Sequence, residues 1–237
     1  VVSGKGSLLA SGSNTLATGQ GQTTGGINID TGNAIDGTSG SISLQSGNTA
    51  GGVSGSINFQ VGVAADSVGG SVSLKSGDSN AATGGSVHLQ SGLSETMSSG
   101  AVSLTTQIGT IASGKMELST GDGTNGQSGT VILQSGDATQ SAGSLRMNAG
   151  SATVDGGNLQ IEAGDSSSPT GIGGTVSLRG GSASTAGNGG NVKISSTNAD
   201  ISNTGSVLLQ SGKSLLAESG AALLQTADVN SVGNSGN

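Results

Sequence analysis

Gly70-Ser71-Val72-Ser73-Leu74-Lys75-Ser76-Gly77 is the stretch whose reading decides the fold. Two large apolar residues sit two apart, flanked by polar ones, between a leading Gly and a closing Ser-Gly. In an extended chain residues two apart share a face, so Val72 and Leu74 form one apolar face and Ser71, Ser73 and Lys75 the other. The stretch recurs as GSISLQSG at 40–47, GTVILQSG at 129–136 and GSVLLQSG at 205–212.

With the leading Gly as position 0, copies begin at Gly25, Gly40, Gly55, Gly70, Gly85, Gly100, Gly114, Gly129, Gly143, Gly157, Gly174, Gly190, Gly205 and Gly220, a mean step of fifteen residues, with a weaker copy from Gly12. Steps of 14, 16 or 17 occur only after Gly100, and the length changes fall between the apolar stretches. Position +4 holds Ile29, Leu44, Phe59, Leu74, Leu89, Leu104, Leu118, Leu133, Met147, Ile161, Leu178, Ile194, Leu209 and Leu224. Position +2 is largely β-branched, as in Ile27, Ile42, Val72 and Val176, a composition that strands favour. Position +6 is mostly Ser or Thr, and +1, +3 and +5 are mainly Ser, Asn, Gln, Lys or Arg.

A lone short strand cannot bury its apolar face, and a fixed period of this kind is the signature of stacked repeats. The expected fold is therefore all-β: a single-stranded parallel β-solenoid of ~15-residue coils, about 14–15 of them. Its core would be the +2 and +4 ladders, and the rod would be roughly 70 Å long at a strand spacing of ~4.8 Å. Residues 1–237 read as one continuous solenoid: irregular first coils over 1–24, regular coils over 25–227, and an incomplete last coil or a connection to a further copy over 228–237. Gly would supply positive-φ corners. Stacked Gln at +5 would hydrogen-bond along the rod, and Glu162 and Arg179, at +5 of successive copies, would pair.

Composition narrows the function. Of 237 residues, 47 are Gly, nearly three times the usual ~7%. There is one aromatic residue, Phe59, and charged residues are 9% of the chain, with a net charge of −7. Seven Lys and Arg form no basic patch, and no aromatic set is present to stack bases, so nucleic acid is not an expected partner. No apolar run approaches the ~20 residues of a membrane-spanning helix, and membrane insertion is not expected. The absence of Cys removes disulfides, thiolate metal sites and cysteine nucleophiles. The start at Val1-Val2, without Met or a signal peptide, reads as a processed protein or a segment of a longer one.

Catalytic chemistry finds no residues. His88, the single His, lies at outward position +3 with no Ser-His-Asp constellation around it, and the acids do not recur at one strand position. Gly121-Asp122-Gly123-Thr124-Asn125-Gly126 has the form of a calcium-binding turn, but repeats that bind calcium carry the Asp in every turn and this chain has it once. No enzyme activity, cofactor or metal is expected.

The ends differ from the middle. Position +3 is Leu208 and Leu223 in the last two copies, next to Leu215 and Leu216. These four form a candidate contact surface, or else tuck inside a distorted terminal coil. Residues 3–12 resemble 211–220 at an offset of 208 residues, either a longer super-repeat or chance among similar copies. Neither end carries a cap, which a solenoid needs to protect its edges, so copies are expected to stack or continue end to end as a homopolymer.

Gly69-Gly70-Ser71-Val72-Ser73-Leu74-Lys75-Ser76-Gly77 and Gly84-Gly85-Ser86-Val87-His88-Leu89-Gln90-Ser91-Gly92 carry a further likeness. They resemble the Gly/Ser-rich repeat regions of large secreted fibre and adhesin-like surface proteins of microbes and algae. The resemblance covers most of the chain and is compositional. It implies an extracellular or cell-surface location, with O-glycosylation of the Ser and Thr residues. In period, the repeat also resembles some insect antifreeze proteins, but the outward Thr-x-Thr ladders of those proteins are replaced here by Ser, Asn, Gln and charged residues. The expected function is an extracellular structural filament or surface appendage. The alternative is an adhesion module whose exposed face binds a glycan, a mineral or ice.

Overall fold

The computed structural model describes residues 11–184, 188–197, 204–214 and 218–226. The chain divides into two compact units, Val1–Glu117 and Leu118–Asn237. The first contains all the steps of fifteen from Gly25 to Gly100, and the second most of the irregular ones.

The expected β-solenoid does not form. Among the described residues there is no strand and no helix, hence no sheet, and no residue with a buried side chain. The accessible surface is 23,972 Å². A folded chain of this mass exposes about 9,400 Å² and an extended one about 32,000 Å², so the polypeptide stays largely in water. The fourteen +4 residues assigned to a core are all exposed, from Met147 at 54% to Leu224 at 96%. Two physical reasons account for this. Each copy offers two large side chains, with one aromatic in the whole chain, against the entropy of ordering fifteen residues rich in Gly. In addition, the backbone hydrogen bonds between consecutive copies join a leading Gly to a closing Gly, and none pairs the apolar stretches themselves among the described residues.

The repeat nevertheless has a regular conformation. The apolar stretches are extended. Hydrogen bonds join polar side chains two residues apart, Asn28 Nδ2 to Asp30 Oδ1 at 3.3 Å and His88 Nε2 with Gln90 Oε1 at 3.1 Å, as alternation on an extended chain requires. The backbone then bends at 35–37, 50–52, 65–67, 80–82, 95–97, 110–111 and 124–126, each at +10 to +12 of its copy. A hydroxyl at +9 holds several of these bends. Thr49 Oγ1 accepts from Gly52 N at 3.1 Å, Ser79 Oγ from Ala82 N at 2.9 Å and Ser94 Oγ from Met97 N at 2.9 Å. These are short side-chain turns that compete with regular structure.

At five junctions between copies the chain returns after the bend to close a clasp. The N–H of a leading Gly donates to the carbonyl of the Gly that ended the previous stretch: Gly85 to Gly77 at 2.9 Å, Gly100 to Gly92 at 3.0 Å, Gly157 to Gly150 at 2.9 Å, Gly174 to Gly164 at 2.8 Å and Gly190 to Gly181 at 2.8 Å. The +6 hydroxyl donates across the same junction, Ser76 Oγ to Gly85 O at 2.9 Å and Thr31 Oγ1 to Gly40 O at 3.2 Å. The clasp therefore closes over 7, 8, 9 or 10 residues, so the length changes of the repeat are taken up in the loop. That tolerance is inexpensive: lengthening a loop from 7 to 10 residues costs only about 0.3 kcal/mol of closure entropy. The longest loop is braced by the chain's single Pro, at the second position of the turn in which Gly171 N donates to Ser168 O at 3.1 Å, where its fixed φ suits the turn.

Close approach favours Gly at the leading position of some copies, namely Gly70, Gly85, Gly129, Gly157, Gly174 and Gly190, whereas at Gly25, Gly55, Gly114 and Gly143 an added Cβ would make only ordinary contacts. A Cβ on Gly174 would stand 3.1 Å from Gly164 N and 3.2 Å from Ala163 Cβ. The expected positive-φ corners are not the general device, since among the described residues Gly37 alone has positive φ, at 104°.

Candidate association surface

Burial in this chain runs opposite to the sequence expectation. Every described residue that is not exposed lies at +6 or +9: Ser46, Ser76, Ser91, Ala163, Gly180 and Ser211, and Ala64, Ser94 and Ser214. The small residues fill the clasp, while the large apolar ones line an open face. The leading Gly of the next copy lies against +6: Ser46 Cβ is 3.5 Å from where a Gly55 Cβ would be, an ordinary contact.

The +2 residues are evenly exposed. The thirteen large residues at +2 are 47–60% exposed, Val131 least and Val72 most. Apolar residues in the loops, such as Ile35, Val53, Val63 and Ile111, are 98–101% exposed. At +2 the stretches therefore shelter their apolar side chains in part and to a similar degree, whereas at +4 exposure ranges from 54% to 96%. Seven copies present Ile or Val beside Leu, and the others vary the pair, as in Ile57 with Phe59, Leu145 with Met147 and Ala222 with Leu224.

On the opposite face the long polar side chains satisfy one another locally. Lys115 Nζ donates to Glu117 Oε2 at 2.7 Å, and Gln160 Nε2 donates to Glu162 Oε1. Lys75 Nζ pairs with Asp78 Oδ2 at 2.7 Å, from +5 into the loop. The expected Glu162–Arg179 pair is not among the ion pairs of the described residues, and no Gln–Gln hydrogen bond joins successive copies there. Both would need the apolar stretches of successive copies paired in a sheet, and the described residues form none.

Of the candidate contact surface, Leu208 is 81% and Leu223 78% exposed. They do not tuck inside. Leu215 and Leu216 lie outside the described residues, as do the terminal segments 1–10 and 227–237. Ile132, the other apolar +3 residue, is 73% exposed.

His88 bonds Gln90, its neighbour on the same face. In the Gly121–Gly126 run the backbone folds tightly, with Gly126 O 2.8 Å from a Cβ placed on Gly123. Among the described residues no group of three His, Asp or Glu side chains stands together as a metal site would require. No described helix is long and apolar enough to cross a membrane.

No protein-family profile, curated protein or solved structure matches the chain.

Proposed function

We propose that this chain is a structural repeat segment that works outside the cell or at its surface, by associating with further copies of itself through the +2/+4 face. The observation that carries the reading is the exposed, in-phase apolar series from Ile27 to Leu224, of which nothing is buried within the chain. Large exposed apolar patches are rare on a protein that acts alone, and are the usual mark of a contact surface. The sparse charge supports the same reading, since 9% charged residues and a net −7 over 237 residues give little repulsion between copies. The extracellular placement rests on the Gly/Ser-rich resemblance.

Sedimentation velocity over a concentration series, with negative-stain imaging of the same samples, tests this. The expected outcome is a mass that grows with concentration and elongated assemblies on the grid. A single species of monomer mass at every concentration refutes the proposal.

A second reading, adhesion to a glycan, rests on the opposite face. There Ser, Asn and Gln at +1, +3 and +5 offer hydroxyl and amide groups to a sugar. A glycan array probed with the monomeric chain tests it, and selective retention on one glycan class would support it.

A further inference from the structure

We infer that Asn125-Gly126 is a site of spontaneous main-chain modification, at which Asn125 converts to aspartate and isoaspartate with water as the only co-reactant. The inference is independent of the self-association proposed above.

The chemistry is a ring closure. The main-chain nitrogen of the residue after an Asn attacks the carboxamide carbon of the Asn side chain. A nitrogen–carbon bond forms, the bond from that carbon to the amide nitrogen breaks, and ammonia leaves with the proton given up by the main-chain nitrogen. The five-membered imide then takes up one water. Opening at one carbonyl gives aspartate, and opening at the other gives isoaspartate, whose main chain is longer by one methylene. No atom is oxidised or reduced. A Cβ on the attacking residue crowds the approach, and Gly has none.

Three observations place the reaction at Asn125. First, Asn precedes Gly only at 125–126 and 188–189. The other Asn among the described residues precede a residue with a Cβ, as in Asn58-Phe59 and Asn158-Leu159. Second, Asn125 is exposed to water in the bend at 124–126. A Cβ on Gly126 would meet nothing within 4 Å, and no hydrogen bond engages the Gly126 N–H or the Asn125 carboxamide. The ring can close there without breaking a hydrogen bond.

Third, the other Asn-Gly is tied down. Gly190 N donates to Gly181 O at 2.8 Å, and a Cβ on Gly189 would stand 3.5 Å from the same carbonyl. Turning the Gly189 peptide towards the Asn188 side chain works against that clasp. A hydrogen bond of this kind shifts an opening equilibrium about 2- to 13-fold, so Asn188 should react more slowly than Asn125 by about that factor. At Asn125 the product exchanges a neutral amide for a carboxylate, adding to the net −7 of the chain three residues from Asp122. The isoaspartate form also lengthens its loop, a change that the clasps accommodate elsewhere by closing over 7 to 10 residues.

Cleavage after Lys115 and Arg146 releases a peptide in which Asn125 is the only Asn, so its mass and chromatographic position report this site alone. Full-length chain is incubated at neutral and at mildly alkaline pH, in buffer and in guanidinium chloride, and sampled over time. Sites are located by fragmentation of the peptides. In buffer, the peptide is expected to yield two new species, aspartate and isoaspartate, faster at the higher pH. Asn125 should outrun Asn188 by about 2- to 13-fold, and the two should converge in denaturant. Gly126→Ala, for which there is space, should slow Asn125 several-fold while amide exchange at Gly100 and Gly157 stays unchanged. Conversion at Asn125 no faster than at Asn58 overturns the inference, as does an unchanged rate in Gly126→Ala. Equal rates at Asn125 and Asn188 in buffer overturn the selection of Asn125 by the structure.

Discussion

Replacing Gly174 by Ala should open one clasp, while the same change at its neighbour Gly173 should leave that clasp closed. An added Cβ at 174 meets Gly164 N at 3.1 Å, Ala163 Cβ at 3.2 Å and Gly164 O at 3.3 Å, whereas at 173 the nearest atom is Gly164 O at 3.8 Å, an ordinary contact. Both substitutions restrict the free chain alike, an effect of about 0.4–1 kcal/mol for Gly to Ala, so the difference between them isolates the clasp. The bond at stake is Gly174 N to Gly164 O at 2.8 Å. A hydrogen bond of this kind contributes about 0.5–1.5 kcal/mol net, so the amide of residue 174 should exchange with solvent roughly 2- to 13-fold more slowly than an unbonded amide. Residue-resolved amide exchange by NMR, on dilute chain, reads this directly. Gly174→Ala should lose the slowing and Gly173→Ala should keep it. Equal exchange at 174 in all three chains would refute the claim that close approach at the leading Gly holds the repeat together.

The bend should respond to its hydroxyl: Ser79→Ala removes the acceptor of the Ala82 N–H, and the Ala82 amide should then exchange about 2- to 13-fold faster, with neighbouring copies unaffected. Association should weaken when Leu44, Leu74 and Leu89 are changed together to Ser; at 65–76% exposure each contributes about 1–2 kcal/mol once covered, so the dissociation constant measured by sedimentation should rise roughly 100-fold or more. The pair Lys115–Glu117, exposed at both ends, should matter little, since exposed pairs contribute at most about 1 kcal/mol; Glu117→Gln should leave amide exchange unchanged at Gly100 and Gly157, the clasp donors on either side of it. The far-ultraviolet circular dichroism of dilute chain should carry neither a helix nor a sheet signature, and a strong sheet band in monomer would overturn the description of the fold.

The fifteen-residue period, the phase of the apolar residues and the confinement of length changes to the loops were all legible in the sequence, because each is a property of local alternation. Val72 and Leu74 share a face in any extended chain. What covers that face is a different question. Periodicity reports which side chains lie together, and stacking must be decided by how much each copy can bury against the cost of ordering it. The clasp was in the sequence too, in the pairing of a leading Gly with a small residue nine positions before it, as in Ser46 with Gly55 and Ser76 with Gly85. Reading +6 as the third member of the apolar face concealed this, since Ser and Thr there looked like the polar margin of a core when they are the sheltered part of the molecule.

That inversion bears on why so simple a repeat keeps its form. If the apolar pair were a core, loop length would be tightly constrained, because a changed perimeter would shift every stacked neighbour. The clasp removes the constraint: Gly190 reaches Gly181 and Gly157 reaches Gly150 with the same bond over different spans. Selection can then act separately on two things, the small residues that close each copy and the large ones that copies offer to one another. Ala149 and Ala163 stand where other copies have Ser, which forgoes the hydroxyl but keeps the close fit to Gly157 and Gly174. Size is therefore the property the clasp needs at +6, and the hydroxyl is an addition to it. Val61 marks the limit, since its Cγ1 would come within 2.7 Å of a Cβ on Gly70: a branched side chain fits there only because the residue facing it is Gly.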